Sequence, residues 1–199
     1  MAKPLIALDI DDTLADSTET IITSVNSHFD ANIPREAYFK PGEYWGYYKR
    51  VWAEHGLELN EEDLDEKMVA DMTELALLPS ALFVVNQLSD RYDFVIVTAR
   101  NPKREELTRT WLRQALPDHD IDVHFSEAHR DESKMTKGQI CKKLGAQYLI
   151  DDNVGHCEGA AAEGITAVLF GEYGWHEGAP DHLVRCKDWP AVMEYFESL

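Results

Sequence analysis

Apolar residues along the chain fall into short, nearly continuous runs at 5–10, 94–98, 121–125, 148–150 and 165–170. Runs that do not alternate with polar residues are strands buried on both faces, as in a parallel sheet covered by helices. Between the last four runs lie stretches with helical periodicity at 103–116, 136–144 and 154–163, with Pro102, Pro117 and Gly145 near their ends. This βαβα alternation predicts an α/β fold built on a doubly wound parallel sheet of five strands.

One connection breaks the rhythm. A crossover between the first two strands needs a single helix, predicted over 80–90, yet the runs are separated by residues 11–93. The chain therefore divides into a core, residues 1–16 and 79–199, and a small helical insertion, residues 17–78. The insertion has a predicted helix over 18–29 and a crowd of aromatics over 38–52 that includes Tyr44 and Trp45. Next comes an acidic stretch, 54–74, in which Lys67 is the one base. Those acids read as the solvated side of a helix whose inner side carries Leu64, Met68, Met72 and Leu75.

Charge limits the partners. With 19 Lys and Arg against 37 Asp and Glu, the formal charge is −18. This is the wrong sign for duplex nucleic acid, whose binding requires clustered cations, or for an anionic membrane surface. No apolar run approaches the length of a membrane span, and the apolar run that leads into Asp9 has only four residues, too few for a signal-peptide core. Three cysteines without a CxxC pair suit a reducing compartment, so a cytoplasmic location is expected.

The chemistry gathers at the strand ends, where open parallel sheets bind ligands. The first strand ends in Asp9-Ile10-Asp11-Asp12-Thr13, the second in Thr98-Ala99-Arg100 and the fourth in Asp151-Asp152; Lys134 and Lys137 open the helix before the fourth strand. Any one of these groups alone is an ordinary helix cap, turn former or surface charge. Together they place carboxylates, a hydroxyl and an ammonium at one rim. Like charges so gathered call for a cation, and magnesium (Mg2+) suits carboxylates combined with water and phosphate oxygens.

This ordered set, DIDDT, VIVTAR, a lysine and LIDD, resembles the four-motif signature of the haloacid dehalogenase superfamily. The paired acids of the first motif resemble its phosphatase branch, and the insertion resembles a C1-type cap. More narrowly, DIDDTLADS with a short cap, VTAR and IDD is similar to 5'(3')-deoxyribonucleotidase-like proteins. The resemblance implies a Mg2+-dependent phosphomonoesterase. In it Asp9 is the nucleophile and Asp11 the general acid and base. Thr98 and the lysine, Lys137 in preference to Lys134, hold the phosphoryl group. Asp9, the Asp11 carbonyl and Asp152 bind metal, with Asp151 the competitor for the inner-shell place. The acid role needs a proton on Asp11 near neutral pH, which crowding by a second carboxylate would favour.

The implied partner is a small phosphorylated substrate, a nucleotide by the narrower resemblance. Thr98, Ala99, Arg100 and Lys137 are candidate contacts to its phosphate, and Tyr44 and Trp45 candidates to stack on its base. A sugar phosphate, another small metabolite, or a polynucleotide 3'-phosphate near Lys103, Arg104, Arg109 and Arg113 would need only a different insertion. A binding protein that kept the fold would not need both Asp9 and Asp11. Whether two copies form a homodimer stays open. His124, His156 and Cys157 read as structural or surface residues, Cys141 as a buried small hydrophobe, and 171–176, which follows the fifth strand, as a turn-rich connection in preference to an edge of the pocket.

Overall fold

The computed structural model describes residues 2–38, 47–59, 73–126, 131 and 134–199, with side chains described from Arg50 onward in the second of these helical segments. Six parallel strands form one sheet: β1 (Leu5–Leu8), β2 (Asp93–Thr98), β3 (Val123–Phe125), β4 (Tyr148–Asp151), β5 (Thr166–Phe170) and β6 (Val184–Cys186). Their order is β3-β2-β1-β4-β5-β6, so β1 lies at the centre and the chain reverses direction across the sheet between β1 and β4. The helices are α1 (Ser17–His28), α2 (Tyr47–Glu54), α3 (Ala81–Leu88), α4 (Glu105–Ala115), α5 (Lys137–Leu144), α6 (Val154–Ala162) and α7 (Trp189–Glu197).

Both sheet faces are buried, as the unbroken apolar runs require. Ile6, Leu8, Ile96, Ile150 and Val168 face α3, α4 and α7 in one apolar cluster; Ala7, Val95, Val97, Leu149 and Ala167 face α5 and α6 in another. The split follows the two-residue period of a strand.

Two elements lie beyond the sequence expectation. Strand β6 is Val184-Arg185-Cys186, where the charged middle residue leaves no continuous apolar run, and α7 follows it. The Asp188 side chain accepts from Ala191 N at the start of α7, and proline occupies its first turn. Trp189 of α7 donates its indole N–H to the Thr13 carbonyl at 2.9 Å, tying the C-terminus to the loop after β1. The third strand begins at Val123 rather than 121, and a short 3-10 turn (Pro102–Arg104) precedes α4.

The segment between β1 and α3 has an apolar cluster of its own, formed by Ile22, Val25, Ile33, Tyr38, Val51 and Trp52, into which Trp175 enters from the core. Trp52 donates to the Tyr38 hydroxyl at 3.1 Å inside it. The two chain crossings pair as a narrow ribbon: Ala15 bridges Leu77, Asp16 N donates to Ala76 O at 2.9 Å, and Leu78 N to Leu14 O at 2.8 Å. Leu64, Met68, Met72 and most of the acidic stretch lie outside the described residues.

Helices α5 and α6 approach closely at Gly138. A Cβ there would fall 2.5 Å from the Gly159 carbonyl oxygen, against backbone that has no rotamer with which to give way. Gly138→Ala should therefore lower the unfolding free energy by about 1–3 kcal/mol in urea titration. A variant as stable as the parent would show that the two helices can separate.

Candidate active site

The register of the sheet assembles the site. Leu8 pairs with Ile150, so the next residue of each strand brings Asp9 beside Asp151, and Asp9 N donates to Ile150 O at 3.0 Å. On the other side Leu8 pairs with Ile96, which carries Thr98 to the same rim. Asp9, Asp151 and Asp152 are all buried, and each presents a ligand oxygen within 4.8 Å of the others.

Lys137, at the first turn of α5, is buried among them. Its Nζ lies 2.7 Å from Asp151 Oδ2, as a hydrogen-bonded pair, and 2.8 Å from Asp9 Oδ1, as an ion pair without hydrogen-bond alignment. The Thr136 side chain and Gln139 form a reciprocal capping box that starts α5 at this residue. Lys134 is exposed and stands outside the cluster. Asp151 also accepts from Asn153 N at 2.9 Å and faces His156 Nδ1 at 3.3 Å.

Electrostatics separates the acids. Burial raises the Asp9 carboxyl to about 6, with Lys137 only partly opposing it and Asp151 and Asp11 adding to it. Burial and the charges of Asp151, Asp12 and Asp9 push Asp152 well above the usual carboxylate range. Asp151 goes the other way: burial would raise it, but Lys137 and His156 outweigh that and hold it low. Two or more ionised carboxylates beside one ammonium leave net negative charge in a buried space. With three hard oxygen donors converging within 4.8 Å, the set suits a divalent cation.

Asp11 departs from expectation. Its carboxylate receives Arg100 Nε at 2.8 Å and Nη2 at 2.6 Å, and the Ser17 hydroxyl at 2.5 Å. Burial would raise its pKa, but the Arg100 charge and these hydrogen bonds lower it instead. The proton expected on Asp11 is thus disfavoured in this state, and Asp9 is the acid of the pair that is raised. Arg100, read from the sequence as a phosphate contact, is committed to Asp11 and lies over the Trp111 ring at 5.6 Å. Thr98 is fully buried, and its oxygen accepts Arg100 N at 3.2 Å, which leaves the hydroxyl proton free to donate. Ala99 forms the link between them.

Several participants escaped the sequence reading. Asp12, at φ 53°, turns its buried carboxylate to the start of α1, accepting Thr18 N at 2.9 Å and Thr18 Oγ1 at 2.7 Å. Burial raises it to about 7. The 171–176 connection is more than a turn: Tyr173 donates to the Asp12 carbonyl at 2.8 Å, and Trp175 donates to Asp152 Oδ2 at 3.0 Å. Three aromatic or imidazole side chains just past the end of a parallel strand were the available signal. Tyr44 and Trp45 lie outside the described residues.

No protein-family model matches the chain. A Staphylococcus aureus protein provisionally named a 5'(3')-deoxyribonucleotidase is 32% identical over 198 residues, covering 98% of this chain and 97% of that protein. The chain belongs to the 5'(3')-deoxyribonucleotidase-like family of haloacid dehalogenase-fold phosphatases. Among solved structures, a predicted phosphatase from Clostridium acetobutylicum superimposes with a TM-score of 0.65 at 18% identity over the whole of both chains. A haloacid dehalogenase-type hydrolase from Bacillus subtilis, solved with magnesium, gives 0.66 at 14% identity, covering 99% of this chain and 100% of that one. Among the described residues no helix is long and apolar enough to cross a membrane.

The raised acids predict an unusual pH response. Asp9 at about 6 and Asp12 at about 7 hold protons in the folded chain that the unfolded chain, with carboxyls near 4, has released. Lowering the pH from about 8 to about 5 should therefore raise Tm of the metal-free protein. Below about pH 4 the trend reverses, as Asp11 and Asp151, held low when folded, lose their paired charges. Thermal melts in EDTA across this range check the sign; a steady fall in Tm from about pH 8 downward would contradict it.

Proposed function

We propose that the protein is a magnesium-dependent phosphomonoesterase of the cytoplasm that hydrolyses nucleoside monophosphates, deoxyribonucleotides among them, through an aspartyl phosphate on Asp9. The observation that carries this reading is the buried group of Asp9, Lys137, Asp151 and Asp152 at the carboxyl ends of adjacent parallel strands. The names of the staphylococcal relatives support the nucleotide, and the three buried free thiols suit a reducing compartment.

Asp9 in its ionised form attacks phosphorus, needing no base to activate it. Lys137 keeps the nucleophile oriented and offsets the charge of the incoming phosphoryl group, a preorganised electrostatic contribution. The Thr98 hydroxyl donates to a phosphoryl oxygen. Asp9, Asp152 and the Asp11 carbonyl would hold magnesium, with Asp151 fixed to Lys137 instead. When bound, the ion neutralises phosphoryl charge and favours the ionised form of Asp9.

Asp11 protonates the leaving alkoxide and then takes a proton from the attacking water. For that, its clamp must open. A phosphate dianion competes with the Asp11 carboxylate for the Arg100 guanidinium, and that exchange removes the interaction which holds Asp11 ionised. Ser17, the other donor to Asp11, opens α1 of the insertion. Residues 17–78 act as the cap: its movement about the Ala15–Leu77 ribbon withdraws or returns that hydroxyl. Tyr44 and Trp45 are the cap residues assigned to the nucleobase.

Phosphate release measured across nucleoside monophosphates and sugar phosphates, with magnesium and with EDTA, tests the reading. Nucleotides should give the highest kcat/KM, and EDTA should abolish turnover. Sugar phosphates turning over best would reassign the substrate, and Asp9→Asn retaining activity would remove the covalent route. Asp11→Asn should cost about 10²–10⁴-fold on an alkyl phosphate. In single-turnover release of the leaving group, which precedes attack by water, the loss should be much smaller on p-nitrophenyl phosphate, whose leaving group needs no proton; equal losses in that step would deny Asp11 the acid role.

A further inference from the structure

The loop after β5 touches the candidate metal site and the apolar cluster of the insertion through the same side chain. Trp175 is buried, and its indole N–H is shared between Asp152 Oδ2 at 3.0 Å and the Asp152 carbonyl at 3.2 Å. The His176 Nε2 faces that carbonyl at 2.5 Å, and because a carbonyl only accepts, the imidazole donates. Backbone and carboxylate of a single residue are thus gripped by two neighbours from one short 3-10 turn (Gly174–His176).

The grip is itself rigid. The Trp175 ring stacks on Tyr173 with centroids 4.4 Å apart and planes 5° from parallel. Tyr173 in turn lies against Gly171, where φ is +92° and a Cβ would come within 2.2 Å of the tyrosine ring. Only glycine accommodates both that backbone and that ring. Trp175 belongs to one apolar cluster with Ile22, Val25, Ile33 and Val51 of the insertion. An indole so wedged cannot follow Asp152 if its carboxylate rotates.

We propose that Trp175 is a positioning residue that holds the Asp152 carboxylate in its metal-binding orientation and anchors this orientation in the packing of the insertion. The inference rests on the reading of Asp152 as a magnesium ligand. A buried carboxylate among two others, freed of its donor, would turn away from them or toward Lys137. Held by an N–H on Oδ2, it keeps its place before the cation arrives, so less ordering remains for binding to accomplish.

Calorimetric titration of the full chain with Mg2+ tests this without reference to turnover. Trp175→Phe keeps an aromatic ring for the stack and removes the N–H; its Mg2+ affinity should fall about tenfold or more. Val192→Ala, a destabilised control in the cluster that α3, α4 and α7 form on the sheet, should lower Tm with Mg2+ affinity within about twofold of the parent. Affinity equal to the parent in Trp175→Phe overturns the inference alone. An equal loss of affinity in Val192→Ala also overturns it, since general loosening would then suffice. Asp152→Asn separates the two levels: tight binding retained there refutes Asp152 as a ligand and the inference with it. In the unaltered protein, moreover, the Trp175 indole N–H resonance should shift and its exchange should slow as Mg2+ is added. An unmoved resonance is an independent refutation should the phenylalanine variant fail to fold.

Discussion

The structure turns on negative charge confined in a buried space. Asp9, Asp151 and Asp152 lie within 4.8 Å of one another at the end of an apolar sheet, and Lys137 is the ammonium placed among them. Charges in a low-dielectric interior are costly unless paired, and one cation cannot pair three carboxylates. The protein divides the problem unevenly: Asp151 is satisfied by Lys137, Asn153 and His156 and stays ionised, while Asp9 and Asp152 are left raised. An arrangement so unbalanced is suited to receive a cation and a phosphoryl group, whose charges complete it.

Much of the surrounding architecture keeps these groups from relaxing apart. The sheet register fixes the backbone of Asp9 beside Asp151, and the capping box starts α5 where Lys137 must stand. Gly138, which has no side chain, lets α5 lie close against the backbone of α6. Trp189 holds the Thr13 carbonyl from the C-terminal helix, and Trp175 and His176 hold Asp152 from the β5–β6 loop. Large side chains with a single polar atom serve this purpose well, because their rings are immobilised by packing while the N–H is aimed at one acceptor.

Five consecutive residues after β1 divide their attachments between core and insertion. Asp9 belongs to the buried cluster, whereas Asp11 accepts from Ser17, and Asp12 accepts from Thr18, both at the start of α1. The N-terminal turn of a helix presents unpaired N–H groups and a partial positive charge, so a buried carboxylate is a natural partner for it. The loop that carries the proposed chemistry is therefore also the loop on which the insertion is mounted. Arg100 closes the same circuit from β2, and the state of Asp11 depends on both elements.

The sheet and its motifs were legible in the linear sequence because their signals are local. Continuous apolar runs mark strands buried on both faces, and Asp9, Thr98 and Asp151 sit one step past those runs, where the topology of a parallel sheet must gather them. Strand β6 was invisible because Arg185 interrupts its apolar residues, and the preference for Lys137 over Lys134 rested on motif spacing until the turn of α5 placed it inward. The partner of Arg100 and the loss of the proton from Asp11 were beyond reach, since both depend on side chains 89 positions apart meeting in a part-buried crevice. The roles of Tyr173, Trp175 and His176 were hidden for the same reason. The sequence determined which chemical groups stand at the strand ends; only tertiary packing decided which of them are paired, which are left charged, and what holds them, because burial and distance set the strength of every such interaction.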